Sequence, residues 1–400
     1  MSRLSVLSFG STRGLWEGAS AEDVQRMGGY AEQLQDYIVV TNSYKRHQLK
    51  PLRLAENFES IPTDAFCAAD SFFRMLAIGW RVLRRRKIDI IQAQDPIFMG
   101  LVAMLLGRHF GVPVNVCVYG PNVYDRHWLA SQWSHAIFGC IGRWVLRRAR
   151  GIQVDGRMTA RSLVAAGHSS ESVAVKPVVP SNLDRFLAID RSAAAPSNVT
   201  RLLYVGRLAA QKNLPLLLAV VKHLKSTGCA DFKLSIVGDG PEEATLRSMA
   251  AREDLKSVVE FRGKVSREEV VGVFADADLF VLTSDYEGYP RVLMEAAAAA
   301  LPTVSTAVSG ADEAVADGET GFLAPIGSLN ELAAKLRLLI DDPALRQRMG
   351  RAARELAKAK LDPTTNTTGQ LAIWRKVAAE ATAEKRAGSE RPLVPAGKTR

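Results

Sequence analysis

Short apolar runs, each ended by glycine or a polar cluster, alternate along the chain with stretches whose apolar positions fall three and four apart. That pattern predicts strands alternating with helices, and so parallel sheets covered on both faces. In the first half, "RLSVLSF", "YIVVTNS", "IDIIQAQ", "VPVNVCVYG" and "GIQVD" predict strands, with helices near residues 72–86, 96–110, 131–149 and 157–167. In the second half the strands are "RLLYVG", "FKLSIVG", "VVEFRG", "LFVLTS" and "PTVST", with helices near 213–226, 241–253, 266–275, 291–300 and 328–340.

Between the halves, "KPVVPSNLDRFLAIDRSAAAPSNVTR" has linker composition, with three prolines and two Ser-Asn pairs. The expected organisation is a first domain over 1–180, a linker over 181–200 and a second domain over 201–362. After Asp362, "PTTNTTG" predicts a break in helical pattern. A last helix then runs to about residue 386 and packs back toward the first domain, and 387–400 reads as a disordered tail. A length of 400 residues suits two domains better than one core.

Composition is that of a globular protein, 47% hydrophobic and 24% charged. Cys67, Cys117, Cys140 and Cys229 are far apart within apolar runs, which predicts reduced core residues in a cytosolic protein. The N-terminus is broken too early by Gly10 for a signal peptide, and "IFMGLVAMLLG" is too short to span a bilayer. The net charge of +10 is uneven: residues 1–180 carry 22 Lys/Arg against 14 Asp/Glu, and residues 181–400 carry 30 against 28. Two segments, 72–87 and 137–150, join large apolar residues to a closing basic cluster. Such segments suit peripheral docking on an anionic membrane, or else core helices with cations at their C-terminal dipole ends. A sequence pI of 9.5 raises nucleic-acid binding, but no recognition helix or RNA-binding motif accompanies it, and no nucleic acid is expected as partner.

Candidate chemistry gathers after the strands of the second half, where open α/β sheets bind ligands. Arg207 and Lys212 follow "RLLYVG" and suit a diphosphate; the alternative is a solvated loop. Gly238 and Gly240 follow "KLSIVG" and permit close backbone approach, without the third glycine of a dinucleotide fingerprint. In "SDYEGYPRVLMEA", Pro290 suits the first position of a helix, whose free amides at Val292 and Leu293 would face a phosphate. Glu295 would then reach a ribose and Glu287 the attached group. Equally ordinary roles are a helix-start acid for Glu287 and a surface acid for Glu295.

Taken together, "VGRLAAQKN", "VGDGPE", "VEFRGKVSREEV", "FVLTSDYEGYPRVLMEAAAAALPTVST" and "VSGADEAVADGETGFL" stand in an order that resembles the retaining nucleotide-sugar glycosyltransferases of family 4. The likeness is continuous over roughly residues 200–360, with "IDIIQAQDPIFMGLVAMLLGRHFGVPVNVCVYG" a weaker echo in the first half. It implies the GT-B architecture, two Rossmann-like parallel-sheet domains facing a central cleft. It implies a UDP- or GDP-sugar as donor and a glycan or lipid-linked acceptor in cell-surface polysaccharide, lipopolysaccharide or glycolipid biosynthesis. An epimerase or a phosphorylase of the same fold is the alternative. Carried over by position, Arg207 and Lys212 would bind the diphosphate, Glu295 the ribose and Glu287 the transferred sugar. The amides of Gly288 and Tyr289 would orient that sugar, and backbone near Arg262 would border the base. The family implies no metal and no tightly bound cofactor.

The first domain departs from the family at Tyr119, where relatives often carry a histidine that contacts the donor sugar. Tyrosine donates a hydrogen bond but does not titrate near neutrality. His127 and His135 lie downstream, where a lone histidine is more often structural. Gly10, in "FGSTRG", Asp95 before Pro96, and the "GGY" of Gly28–Tyr30 are further candidates for sugar or acceptor contact. Turn glycines and a helix-start acid are the competing roles.

Overall fold

The computed structural model describes residues 3–11, 15–16, 21–119, 123–124, 129, 133–177, 183–191, 199–229, 231–266, 268–360 and 363–389. The chain divides into two compact units, one of residues 1–154, 162–176 and 364–400, the other of residues 155–161 and 177–363.

The first unit is built on β1 (Ser5–Gly10), β2 (Asp36–Thr41), β3 (Leu52–Ala55), β4 (Phe58–Pro62), β5 (Ile90–Ala93), β6 (Val114–Val118), β7 (Gly151–Val154) and β8 (Val173–Val175). They stand in the order β3-β4-β2-β1-β5-β6-β7-β8, parallel except for β3 on the edge. The second unit has β9 (Thr200–Val205), β10 (Phe232–Val237), β11 (Val259–Gly263), β12 (Leu279–Leu282), β13 (Thr303–Thr306) and β14 (Gly321–Ala324). Their order, β11-β10-β9-β12-β13-β14, is all parallel and reverses between β9 and β12. The structure is thus a mixed α/β chain with two parallel-sheet domains. Central strands such as β1 and β12 are buried along their whole length, as strands covered on both faces must be.

Several sequence expectations are corrected. The stretch 181–200 is not simply linker: the Leu183–Leu187 helix lies within it, with Leu183 and Phe186 fully buried and the Phe186 ring 5.0 Å from that of Phe274. Two large apolar side chains one turn apart outweighed the flanking turn residues. "PTTNTTG" does not break the helix. One helix runs from Pro363 to Ser389, with proline at the first position, where its missing N–H costs nothing. The tail assigned to 387–400 lies outside the described residues from 390 onward, and 387–389 belong to that helix. Gly28–Tyr30 is the middle of the helix Ala21–Gln33, and Tyr30 packs into the core 5.5 Å from the Trp374 ring. Only Cys117 of the four cysteines is buried; Cys67 and Cys140 are exposed.

The last helix belongs to the first unit. Trp374, buried, donates Nε1–H to Gln92 Oε1 at 2.8 Å, and Gln370 exchanges hydrogen bonds with Gln153 at 2.9 and 3.1 Å. Among the described residues no helix is long and apolar enough to cross a membrane.

Candidate active site

β9 and β12 are neighbours at the point where the second sheet reverses its order, and doubly wound sheets place ligands beyond the carboxyl ends of such strands. Arg207 and Lys212 lie on the loop leaving β9. That loop closes in the short turn Ala210–Lys212, and Asn213, at φ 44°, caps the helix Leu214–Ser226 by accepting Leu216 N–H at 3.2 Å. Asparagine is among the few residues that enter the left-handed region at little cost.

The loop leaving β12 is bonded to the first. Thr283 Oγ1 donates to the carbonyls of Lys212 and Asn213, each at 3.1 Å. Asp285 N–H donates to Gln211 O at 2.9 Å, and Asn213 Nδ2 donates to Asp285 Oδ1 at 2.8 Å. This lacing brings Lys212 Nζ into an ion pair with Glu287 Oε1, which also accepts Ser284 Oγ–H at 2.7 Å. Glu287 is 9% exposed, and a carboxylate so buried requires a cation and hydrogen bonds. The Tyr204 hydroxyl donates to Arg207 O at 3.2 Å. Burial, and after it the charge of Glu287, pushes the Tyr204 phenol far above its usual range, so it acts as a fixed donor. The Arg207 side chain is exposed on the same loop, with no partner among the described residues.

Gly238 has φ 136°, and a Cβ there would lie 1.9 Å from Gly206 O. Its own N–H donates to Gly263 O at 2.8 Å, which sets the end of β11 against the turn after β10. The backbone beside Arg262 therefore borders the Gly238 turn. The exposed Arg262 side chain instead lines a cavity of about 480 Å³ with Arg201, Lys233 and Lys256.

Pro290 precedes the helix Arg291–Ala298, on which Val292 and Glu295 are half-buried and Leu293 is buried. Of the two amides assigned to a phosphate, that of Leu293 already donates to Pro290 O at 2.9 Å. The Gly288–Tyr289 turn is held by close approach of Gly310, where a Cβ would meet Gly288 O at 3.0 Å. The Tyr289 hydroxyl is buried, with no hydrogen-bond partner among the described residues. Its phenol is raised by burial and then by Glu313, Asp155 and Asp312.

In the first unit, Gly10 ends β1 against the Gln94 side chain, which a Cβ would meet at 2.6 Å. Asp95 is a helix cap: Oδ1 accepts Ile97 N–H at 2.8 Å and Phe98 N–H at 2.7 Å. Burial raises its pKa against the pull of those amides. Of the two roles open to Asp95, these bonds belong to the helix-start one. Tyr119 follows β6, is exposed, and accepts Gln153 Nε2–H at 2.9 Å on its hydroxyl. His135 stands on the helix Trp133–Leu146, and His127 lies outside the described residues.

Sequence reasoning missed Ser284, Tyr204 and Asn213. Asn213 before "LP" carried a helix-cap signal, and Ser284 stands only three residues before Glu287. Tyr204 lay within a strand and gave none.

Two family profiles match. The one described as glycosyl transferases group 1 covers residues 187–356, and the glycosyl transferase 4-like domain covers residues 39–178. The chain belongs to this family of glycosyltransferases, family 4, and its structural neighbours are of GT-B type. WcaL of Salmonella typhimurium, assigned as a colanic acid biosynthesis glycosyltransferase, is 34% identical over 207 residues, 50% of each chain. The sulfoquinovosyl transferase SQD2 of Arabidopsis thaliana is 28% identical over 328 residues, 75% of this chain and 60% of that one. The chain thus spans between half and three fifths of these curated relatives. The crystal structure of Anabaena HepE in complex with UDP aligns over 95% of this chain and 100% of its own, with a TM-score of 0.68 and 17% identity.

Proposed function

We propose that the chain is a retaining hexosyltransferase that moves a sugar from a UDP- or GDP-linked donor to a hydroxyl of a glycan or lipid-linked acceptor, in cytoplasmic steps of cell-surface polysaccharide or glycolipid assembly. The observation that carries this reading is the junction of Lys212 and Glu287 across the switch point of the second sheet, with Arg207 on the same loop. Anionic and hydroxyl-rich parts of one ligand would find cations and a carboxylate side by side there. HepE, crystallised with UDP and with UDP-glucose, lends support, as do the colanic acid and sulfoquinovosyl relatives.

In this scheme the acceptor hydroxyl attacks the anomeric carbon on the face the leaving group departs from. The bond from that carbon to the phosphate oxygen breaks, its electron pair stays on the phosphate, and the phosphate takes the acceptor's proton. Arg207 and Lys212 neutralise the charge growing on the diphosphate, aided by the positive end of the Arg291–Ala298 helix through Val292. Glu295 holds the ribose. Glu287, fixed by Ser284, and the Gly288–Tyr289 turn orient the sugar, and Gly238 lets the backbone come close. Gly10 and Tyr119 remain candidates for the sugar or acceptor. No metal or resident cofactor enters the scheme, and no nucleic acid is a partner.

The test is incubation of purified chain with a panel of nucleotide sugars and acceptors, with the anomeric configuration of the product read by NMR. A product of retained configuration supports the proposal. An inverted product, an epimerised sugar without acceptor, or phosphorolysis would each replace it.

A further inference from the structure

The helices Ala68–Arg85, Phe98–Phe110 and Trp133–Leu146 form one layer of the first unit, the middle helix packing against both others. Large apolar side chains stand on both their inner and their outer faces. Inward stand Ser71, Met75 and Gly79 on the first and Gly139, Gly142, Val145 and Leu146 on the third. At Gly79 a Cβ would lie 2.5 Å from Leu106 Cδ1, and at Gly142 2.4 Å from Val123 Cγ1, so the packing at these two positions is already tight. Outward stand Phe73 (67% exposed), Trp80, Leu105, Ile137 (54% exposed), Phe138 and Trp144. A helix that only covers a core keeps such groups on its inner face.

Each helix also closes on arginines: Arg84 and Arg85, Arg108, and Arg147 and Arg148. These ends adjoin. The Trp80 ring lies 4.4 Å from that of His109, Arg148 Cζ stands 4.6 Å over the Trp144 ring, and Arg108, Trp144 and Arg148 line one cavity. The acids of the region have cations of their own: Asp70 is paired with Arg74 at 2.9 Å and Glu384 with Arg150 at 2.6 Å.

We propose that this three-helix face docks on an anionic bilayer, its aromatic and aliphatic side chains entering the boundary between headgroups and acyl chains while the arginines meet lipid phosphates. The proposal goes beyond the transferase reading and does not depend on it. Helix dipoles account for cations at the C-terminal ends, but not for an outward apolar stripe repeated on neighbouring helices. A nucleic acid would use the arginines and stack on the aromatics, yet leave Leu105 and Ile137 without a role.

The test is flotation of the full chain with vesicles of phosphatidylcholine alone and of phosphatidylcholine mixed with phosphatidylglycerol. The chain is expected to float with the anionic vesicles only. Arg84→Gln/Arg85→Gln/Arg148→Gln should lower that partitioning on the order of a hundredfold, at about fivefold per arginine. Phe73→Ser/Ile137→Ser, which keeps the charge, should lower it roughly tenfold. Thermal transitions of both variants check that they fold. Equal recovery with neutral and anionic vesicles, no flotation at all, a serine variant that floats like the parent, or tighter binding to RNA than to vesicles at the same salt would overturn the proposal.

Discussion

Lys212 and Glu287, 75 residues apart in sequence, are joined by an ion pair that ties the loop after β9 to the loop after β12. Glu287 Oε1 holds both the ammonium and the Ser284 hydroxyl. A diphosphate entering the site therefore competes with this carboxylate for Lys212. Arg207, exposed beside it, has no such tie among the described residues.

Removing one partner should cost more than removing both. Lys212→Met leaves the Glu287 carboxylate buried without its cation, and stability is expected to fall by about 3 kcal/mol in chemical denaturation. Adding Glu287→Gln should recover most of that loss, because the amide oxygen still accepts from Ser284. Nucleoside diphosphate affinity should stay at least about tenfold down in both variants, since the phosphate loses its cation either way. A double variant as unstable as Lys212→Met would show that the pair is not what holds the loops.

Gly238→Ala forces a Cβ into the Gly206 carbonyl at a left-handed backbone position. The loop carrying Arg207 must shift or the unit must strain. A destabilisation of roughly 2–4 kcal/mol is expected, with weakened nucleotide binding. Melting temperature and calorimetry check both. An unchanged melting point would mean that the turn relaxes freely.

The alternation of apolar runs and helical spacing made β1, β2, β5, β6, β7 and β9 to β13 legible, because buried parallel strands are apolar throughout, but not β3, β4, β8 or β14. What stayed hidden had local signals at odds with tertiary packing. β4 reads "FESIP": Glu59 is half-buried next to the edge strand, and Ser60 is fully buried because its hydroxyl is bonded to that of Thr41 at 3.0 Å, so no apolar run marks the strand. Gly28 and Gly29 looked like a turn but sit inside a helix, where a Cβ on Gly29 would stand 3.4 Å from Thr367 Oγ1. At the site, Arg207, Lys212 and Glu287 were legible because each follows a strand. The lacing by Thr283, Asn213 and Asp285 was not, since it depends on two loops meeting across the sheet. For Asp95 the sequence left acceptor contact and a helix start open, and its carboxylate accepts from the amides that open its own helix.

Trp374 joins the last helix to the first unit through Gln92 and through ring contacts with Tyr30 and Tyr37 at 5.5 and 5.8 Å. Trp374→Ala should cost the first unit about 3–5 kcal/mol and leave Gln92 Oε1 with Asn115 Nδ2 alone, 2.7 Å away. Two-probe unfolding is expected to show an early transition for the first unit and an unshifted one for the second. A single, equally shifted transition would contradict this.

Burial pushes the Lys176 amine down to about 8. Below pH 8 folded and unfolded chains are both protonated, and the full cost of the buried charge is present. Between about pH 8 and 10.5 the folded amine is neutral while the unfolded one still binds a proton, so stability rises with pH across that window, by roughly 2 kcal/mol. Urea midpoints at pH 7.5 and 9.5 measure the effect. Lys176→Met should be more stable than the parent at pH 7.5 and lack the rise.

In the proposed scheme two acids divide the labour, Glu295 for the nucleotide and Glu287 for the sugar. Calorimetric titration of UDP and GDP into Glu295→Ala and Glu287→Ala tests it most directly. A carboxylate that accepts ribose hydroxyls contributes about 2 kcal/mol, so Glu295→Ala should weaken nucleotide binding on the order of thirtyfold, with Glu287→Ala within about threefold of the parent. Intact binding in Glu295→Ala together with its loss in Glu287→Ala would contradict the assignment.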